Sequence, residues 1–263
     1  MVKTFQTINL EITDRLATLT LNRPKAMNAM DAQMMSELAD CFESLLSNRE
    51  VQVLVIKGEG RAFSAGGDIK MMLQSGGEVA DFTSLMNEIA RLVLAFYQLP
   101  MITVAGIHGA AAGLGLSLAL ANDIVIAEES SKVAMNFIGI GLVPDGGGHF
   151  FMKERLGVPK AKQVIWQGKV MSGQEAYELG LIDQVVPEGN VDSAISQFVQ
   201  KLLSSPISAM IETKQIYHGQ KLQELKDTLK LEESAQLRMR QTEDHLEGIQ
   251  AFVEKRKPEF KGR

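Results

Sequence analysis

The 263-residue chain has one cysteine, Cys41, and four histidines, with no Cys or His cluster at zinc spacing. An intramolecular disulfide is excluded, a structural metal is not indicated, and a lone thiol fits a reducing cytoplasm. Positive charge is also scarce: 27 Lys and Arg against 32 Asp and Glu give a net charge of −5. A nucleic-acid binder held by general electrostatics needs a basic face, so that class is set aside, and any anionic ligand must find a local cationic patch. The opening MVKTFQTINLEI lacks an apolar core of signal-peptide length, so secretion is not indicated. What remains is the composition of an ordinary soluble globular protein, 45% hydrophobic and 22% charged with 23 glycines. Its length allows one large domain or a core with an appendage.

From Leu92 to Asn122 no side chain is formally charged, and Gly109-Ala-Ala-Ala-Gly113 has the spacing of a membrane-dimer motif. Pro100 splits that run, β-branched residues follow it, and small residues then crowd AAAGLGLSLALA. The segment therefore reads as a buried strand feeding a buried helix, with no membrane span. Along the rest of the chain, strands are expected at 5–12, 15–21 and 51–58, then in MITVAGI, DIVIA and LIDQVV. Helices are expected at 31–46, 81–98 and 113–121, and Ser172 with Glu175 has the form of a capping box on a helix that Gly180 stops. Alternating strands and helices imply parallel pairing with right-handed crossovers, hence an α/β core. Beyond it, amphipathic helices run to about Val253. They carry an apolar stripe of Leu222, Leu225, Leu229 and Leu237 among charges such as Lys226, Lys230, Glu232, Glu233 and Arg238, a pattern that often packs against another subunit.

Three glycine loops stand out. In RAFSAGGDIK, small residues after a strand leave backbone N–H groups free to approach a ligand, although a loop that simply needs glycine reads the same way. In HGAAAGLGLSLALA, the first N–H groups of a helix beginning near Gly113 or Leu114 have no internal partner. A dinucleotide loop fails there at Leu118, and a nucleophile elbow on Ser117 lacks a strand ending just before it. In FIGIGLVPDGGGHF, Pro-Asp-Gly makes Asp145 a turn former on local grounds, while the following glycines place N–H groups and a helix start near whatever its carboxylate touches.

Taken in order, LTLNRPKAMNAM, FSAGGDIK, ITVAGIHGAAAGLGLSLALANDIVIA, GLVPDGGG, GKVMSGQEAYELGLIDQVV and AFVEKRKPEF resemble the enoyl-CoA hydratase/isomerase family, the crotonase superfamily, over essentially the whole chain. The resemblance implies a spiral of ββα units as a core over residues 1–198, with a helical trimerisation region over 199–263 that builds homotrimers or hexamers. It implies an enzyme acting on an acyl-CoA thioester, with CoA as part of the substrate and no further cofactor. It assigns the two backbone donors of an oxyanion hole to Ala65 and Leu114. Two such donors stabilise an enolate oxygen, each typically worth about 3 to 4 kcal/mol of barrier. It assigns substrate contacts to Lys25, Ala26 and Met27, to Ala65, Gly66, Gly67, Asp68 and Ile69, to Phe137, and to Lys257 and Phe260 at the chain end. There Lys255, Arg256 and Lys261 add positive charge that would otherwise be a solvated tail.

The chain departs from the family hydratases at both of their glutamates, whose positions hold Ser117 and Phe137. Hydration calls for a pair of acids, whereas a double-bond shift needs one. Asp145 falls where isomerase-type members carry their acid, including those with a PDxGG pattern that rearrange ring-epoxide aryl-CoA thioesters. The resemblance thus implies an enoyl-CoA isomerase with Asp145 as general base and Phe137 as part of a dry pocket that raises its pKa. Glu88 is the other candidate acid, and His149 reads as a helix-start residue. An enoyl-CoA hydratase of the same superfamily, a non-catalytic acyl-CoA-binding subunit and a serine hydrolase built on Ser117 are the alternatives.

Overall fold

The computed structural model describes residues 5–68 and 79–263. Strands β1 (Ile8–Thr13) and β2 (Leu16–Leu21) form an antiparallel hairpin, and β2 alternates buried and half-buried residues as a strand on a core should. From β2 the sheet continues in parallel through β3 (Val53–Gly58), β4 (Ile102–Ile107), β6 (Ile124–Glu128) and β9 (Gln184–Val186), in the order β1-β2-β3-β4-β6-β9. A second, small sheet joins β5 (Ala110–Ala112), β7 (Lys132–Ala134) and β8 (Met171–Ser172).

The helices are α1 (Ala32–Leu46), α2 (Val79–Tyr97), α3 (Leu114–Leu120), α4 (Gly148–Gln167), α5 (Gly173–Glu178), α6 (Val191–Leu203), α7 (Ile207–Met239) and α8 (Glu243–Glu254). Asp31 caps α1 by accepting the Met34 N–H at 2.9 Å, and the Ser172/Glu175 capping box starts α5 as expected. One sheet face packs on α1 and α2, where the Phe42 and Phe96 rings meet at 4.8 Å; on the other, Val53, Val55, Val104 and Ile126 cluster with Val191, Ile195 and Val199 of α6. With both faces covered, β4 is buried at every residue, which is why its sequence is apolar throughout. The uncharged 92–122 run resolves into the end of α2, then β4, β5 and α3, and no helix of the described residues is long and apolar enough to cross a membrane.

Several expectations change. β5 was not foreseen because three alanines favour helix, and its parallel pairing with β7 overrides that propensity. The boundary expected between 198 and 199 falls inside α6, so the chain does not break there. Leu225 and Leu229 of α7 are buried in the chain's own core, and the partly buried Leu222 and Leu237 pack beside them.

A buried ion pair ties α7 to the sheet. The Lys214 ammonium donates to the Met101 carbonyl at 2.8 Å and to Asp123 at 2.7 Å, while Asp123 accepts from the Thr103 N–H and hydroxyl on β4. Burial pushes the Lys214 pKa down, against the pull of Asp123. Removing one partner of such a pair strands the other, so Lys214→Ala is expected to lower the unfolding free energy by about 3–5 kcal/mol in urea titration; a loss below about 1 kcal/mol would show that the pair contributes little.

Candidate active site

The site begins where two loops lie against each other. The Ser64 N–H donates to Ala110 at 2.9 Å and the Ala112 N–H to Ser64 at 3.0 Å, so the FSAGG loop runs beside β5 and reaches the start of α3. Gly66 sits at φ +95°, and a Cβ there would lie 2.6 Å from the Ala112 carbonyl oxygen and 3.5 Å from the Leu114 nitrogen. Only glycine allows that approach without strain. A short 3-10 turn, Pro24–Ala26, brings Lys25, Ala26 and Met27 to the same place, because the Met27 carbonyl accepts the Ala65 N–H at 2.9 Å and the Met30 N–H donates to Gly66 at 2.8 Å. Asp68, next in the loop, is paired with Arg23 at 3.2 Å.

Those bonds correct one assignment. The Ala65 N–H, expected as an oxyanion donor, is already committed to Met27. The Gly66 N–H reaches the Ser64 hydroxyl at 3.2 Å and the Asp68 N–H donates to Met30. The Gly67 N–H has no partner among the described residues, and neither has that of Leu114 at the first position of α3. The sequence marks the loop but not which of its amides turns outward.

Asp145 is both a turn residue and an isolated acid. Its carbonyl accepts the Gly148 N–H at 3.0 Å, closing the turn, and the Ser117 hydroxyl at 2.8 Å, which ties the turn to α3 one helical turn beyond Leu114. A Cβ on the adjacent Gly146 would sit 2.4 Å from a Leu114 methyl, so the Asp-Gly pair is pressed against the start of α3. The residue is 6% exposed; Oδ2 has only the Gln236 amide at 3.5 Å, and Oδ1 is buried with no partner among the described residues. Burial, reinforced by the nearby charge of Glu232, holds the Asp145 pKa well above the ordinary 3.8. Phe137 is buried in the 3-10 turn Phe137–Ile140, with its ring 3.6 Å from where a Cβ of Gly113 would be, and adds an apolar wall.

The other candidates fall elsewhere. Ser117 is fully buried inside α3 and spends its hydroxyl on Asp145, which leaves no exposed nucleophile. Glu88 is half-buried and bonded to Arg91, which also grips Asp40 and Glu43 on the face between α1 and α2. His149 starts α4 as expected, but its Nδ1 meets Glu232 at 2.8 Å. Ile69 lies outside the described residues. Lys257 and Phe260 belong to an exposed tail folded back on α8, where Arg256 pairs with Glu247 and the Lys261 N–H donates to Asp244, and among the described residues no hydrogen bond or ion pair joins them to these loops. Among the described residues no group of His, Cys, Asp or Glu could hold a metal.

Two residues escaped the sequence reading. Glu232 and Gln236 of α7 are buried at 2% and 1% exposure, with Gln236 donating to the Val143 carbonyl and Glu232 accepting the N–H groups of Gly147 and His149. The signal was present: 225, 229, 232 and 236 share one helical face, so these two polar residues continue the leucine stripe.

Parallel strands wound with helices, two amides without a partner among the described residues and a buried carboxyl agree with an enzyme of the crotonase superfamily. The chain belongs to the enoyl-CoA hydratase/isomerase family, which it matches over residues 11–263. It is 50% identical over 93% of its length, and 95% of the relative's, to the Bacillus subtilis (strain 168) protein named "Putative enoyl-CoA hydratase/isomerase YhaR". It is 32% identical to the 1,2-epoxyphenylacetyl-CoA isomerase of Escherichia coli (strain K12), covering 94% of this chain and 95% of that one. In structure it is similar to an enoyl-CoA hydratase from Mycobacterium avium subsp. paratuberculosis K-10, with TM-score 0.88, 31% identity, and 98% and 100% of the two chains covered.

Holding its proton more tightly folded than unfolded, Asp145 contributes stability that is fully present below pH 3.8 and is lost as pH rises through its raised folded value. Asp145→Asn should therefore melt with the native protein in acid and be more stable at neutral pH, by about 1–3 kcal/mol. Thermal melts across pH check this; a variant less stable at neutral pH would mean that the carboxylate is compensated.

Proposed function

We propose that this enzyme is an enoyl-CoA isomerase, which shifts a carbon–carbon double bond in an acyl-CoA thioester with Asp145 as its general base. The carboxylate takes the α-proton of a 3-enoyl thioester. The electron pair spreads into a dienolate whose negative oxygen is held by the N–H groups of Gly67 and Leu114, and the protonated Asp145 returns the proton to the γ-carbon. Base and acid are the same group, so the reaction closes with no other reactant, and no cofactor is invoked.

One observation carries this reading. Asp145 is a buried carboxyl with an unengaged oxygen, tied through Ser117 to the helix whose first amide is unpaired, and its raised pKa makes it a stronger base than an ordinary aspartate. Ser117 and Phe137 stand where a hydratase would need its acids, and neither can deprotonate water at neutral pH. Hydration is the second reading, favoured by relatives named as enoyl-CoA hydratases, such as one of Rhodobacter capsulatus 35% identical to this chain. The reading also includes assembly as a homotrimer or a dimer of trimers, for which Leu231, Leu246 and Phe252 offer exposed apolar surface.

The test is α-proton exchange of a short 3-enoyl-CoA in deuterated water, followed together with product identity. We expect exchange and a 2-enoyl product, with Asp145→Asn slowing both by about 10²- to 10⁴-fold. The acid limb of kcat/KM should lie above the ordinary aspartate value of 3.8, with activity rising as pH increases through it. Formation of 3-hydroxyacyl-CoA, or exchange that survives the substitution, would sink the isomerase reading.

A further inference from the structure

Glu232 is a carboxylate in a place where one is costly. It is 2% exposed, on the face of α7 that meets the glycine loop. One oxygen accepts the Gly147 N–H at 2.8 Å; the other accepts the His149 N–H at 3.0 Å and faces His149 Nδ1 at 2.8 Å. These partners are the ones an anion wants at the start of a helix, here the twenty-residue α4. They sit two and four residues after Asp145, so Glu232 grips the far side of the turn that carries the proposed base.

The groups that face the turn on the side of Asp145 are mostly apolar or neutral. Facing the turn, α2 contributes Ile89, α3 contributes Leu114 and Ser117, and Leu225 and Phe151 cover Gly147. Among the described residues, the titratable groups bonded to this segment are Glu232 from α7 and His149 from α4, the latter bonded to Glu232 itself; Gln236 is neutral. No Lys or Arg among the described residues forms an ion pair with Asp145 or Glu232. Two carboxyls in one water-poor site raise the proton affinity of the one with fewer donors, and that one is Asp145.

We propose that Glu232 is a positioning residue for the reaction: it locks the Asp145–His149 segment to α7 and sets a second carboxylate behind the turn that carries the proposed base. This rests on the reading of Asp145 as the base. A purely structural role would be served by any side chain that accepts the same N–H groups; the electrostatic role requires the charge.

The experiment compares native protein, Glu232→Gln and Glu232→Asp by two readouts, the titration of the Asp145 carboxyl carbon by ¹³C NMR, assigned with Asp145→Asn, and the pH profile of isomerisation. In Glu232→Gln both midpoints are expected to move to lower pH, and kcat to fall about tenfold with KM changed less than about twofold, because a weaker base slows the chemical step and leaves binding alone. Glu232→Asp keeps the charge and should hold both midpoints near the native values, which also serves if the glutamine variant fails to fold. Midpoints unmoved in a folded Glu232→Gln, or moved equally in Glu232→Asp, would overturn the proposal. If the carbon signal moves while Asp145→Asn still isomerises, the coupling between the carboxyls stands and it is the assignment of the base that fails.

Discussion

Everything in the site depends on two backbones being allowed to touch. The strand-like contact of Ser64 with Ala110 and Ala112 is possible because Gly66 and Gly115 carry no side chain; a Cβ on Gly115 would lie 2.7 Å from the Ser64 side chain. That contact brings the Gly66 backbone against the start of α3, where a Cβ on Gly66 would lie 3.5 Å from the Leu114 nitrogen, and through α3 determines where Ser117 can hold the Asp145 turn. A bulkier residue at either glycine would not merely lose a contact; it would separate the pieces that the chemistry needs together.

The turn that carries Asp145 shows how the fold divides labour within a single residue. Its carbonyl is doubly bonded and immobile, whereas its carboxyl is buried with one weak partner. The first feature is structural and the second is costly to stability, a combination often found in functional acids. Gln236 on Val143, Ser117 on Asp145 and Glu232 on Gly147 and His149 fix the segment from opposite sides, so the uncompensated charge is accommodated by its scaffold and not by a counter-ion.

Much of this was legible in the residues. β4 and β6 announce themselves by unbroken apolar runs, α5 by its capping box, and the three loops by their glycines, because these signals are local. What was hidden was non-local. Ala110–Ala112 becomes a strand only because β7 and Ser64 present partners to it. The engaged amide of Ala65 and the unengaged one of Gly67 are neighbours in sequence, and only the distant Met27 distinguishes them. In the sequence Glu232 is one charge among several on an amphipathic helix, since an acid on a leucine face means something only once the glycine loop 85 residues earlier is seen to lie against it.

The anchoring of residues 143–149 has a stereochemical consequence. A base held at its carbonyl, at its flanking residues and at the following helix cannot swing from one side of the substrate to the other. If one carboxyl both removes and returns the proton, the allylic system must be worked on from a single face. The transfer is then suprafacial, and the geometry of the new double bond is decided by how the acyl chain lies across Asp145 and not by any movement of the protein.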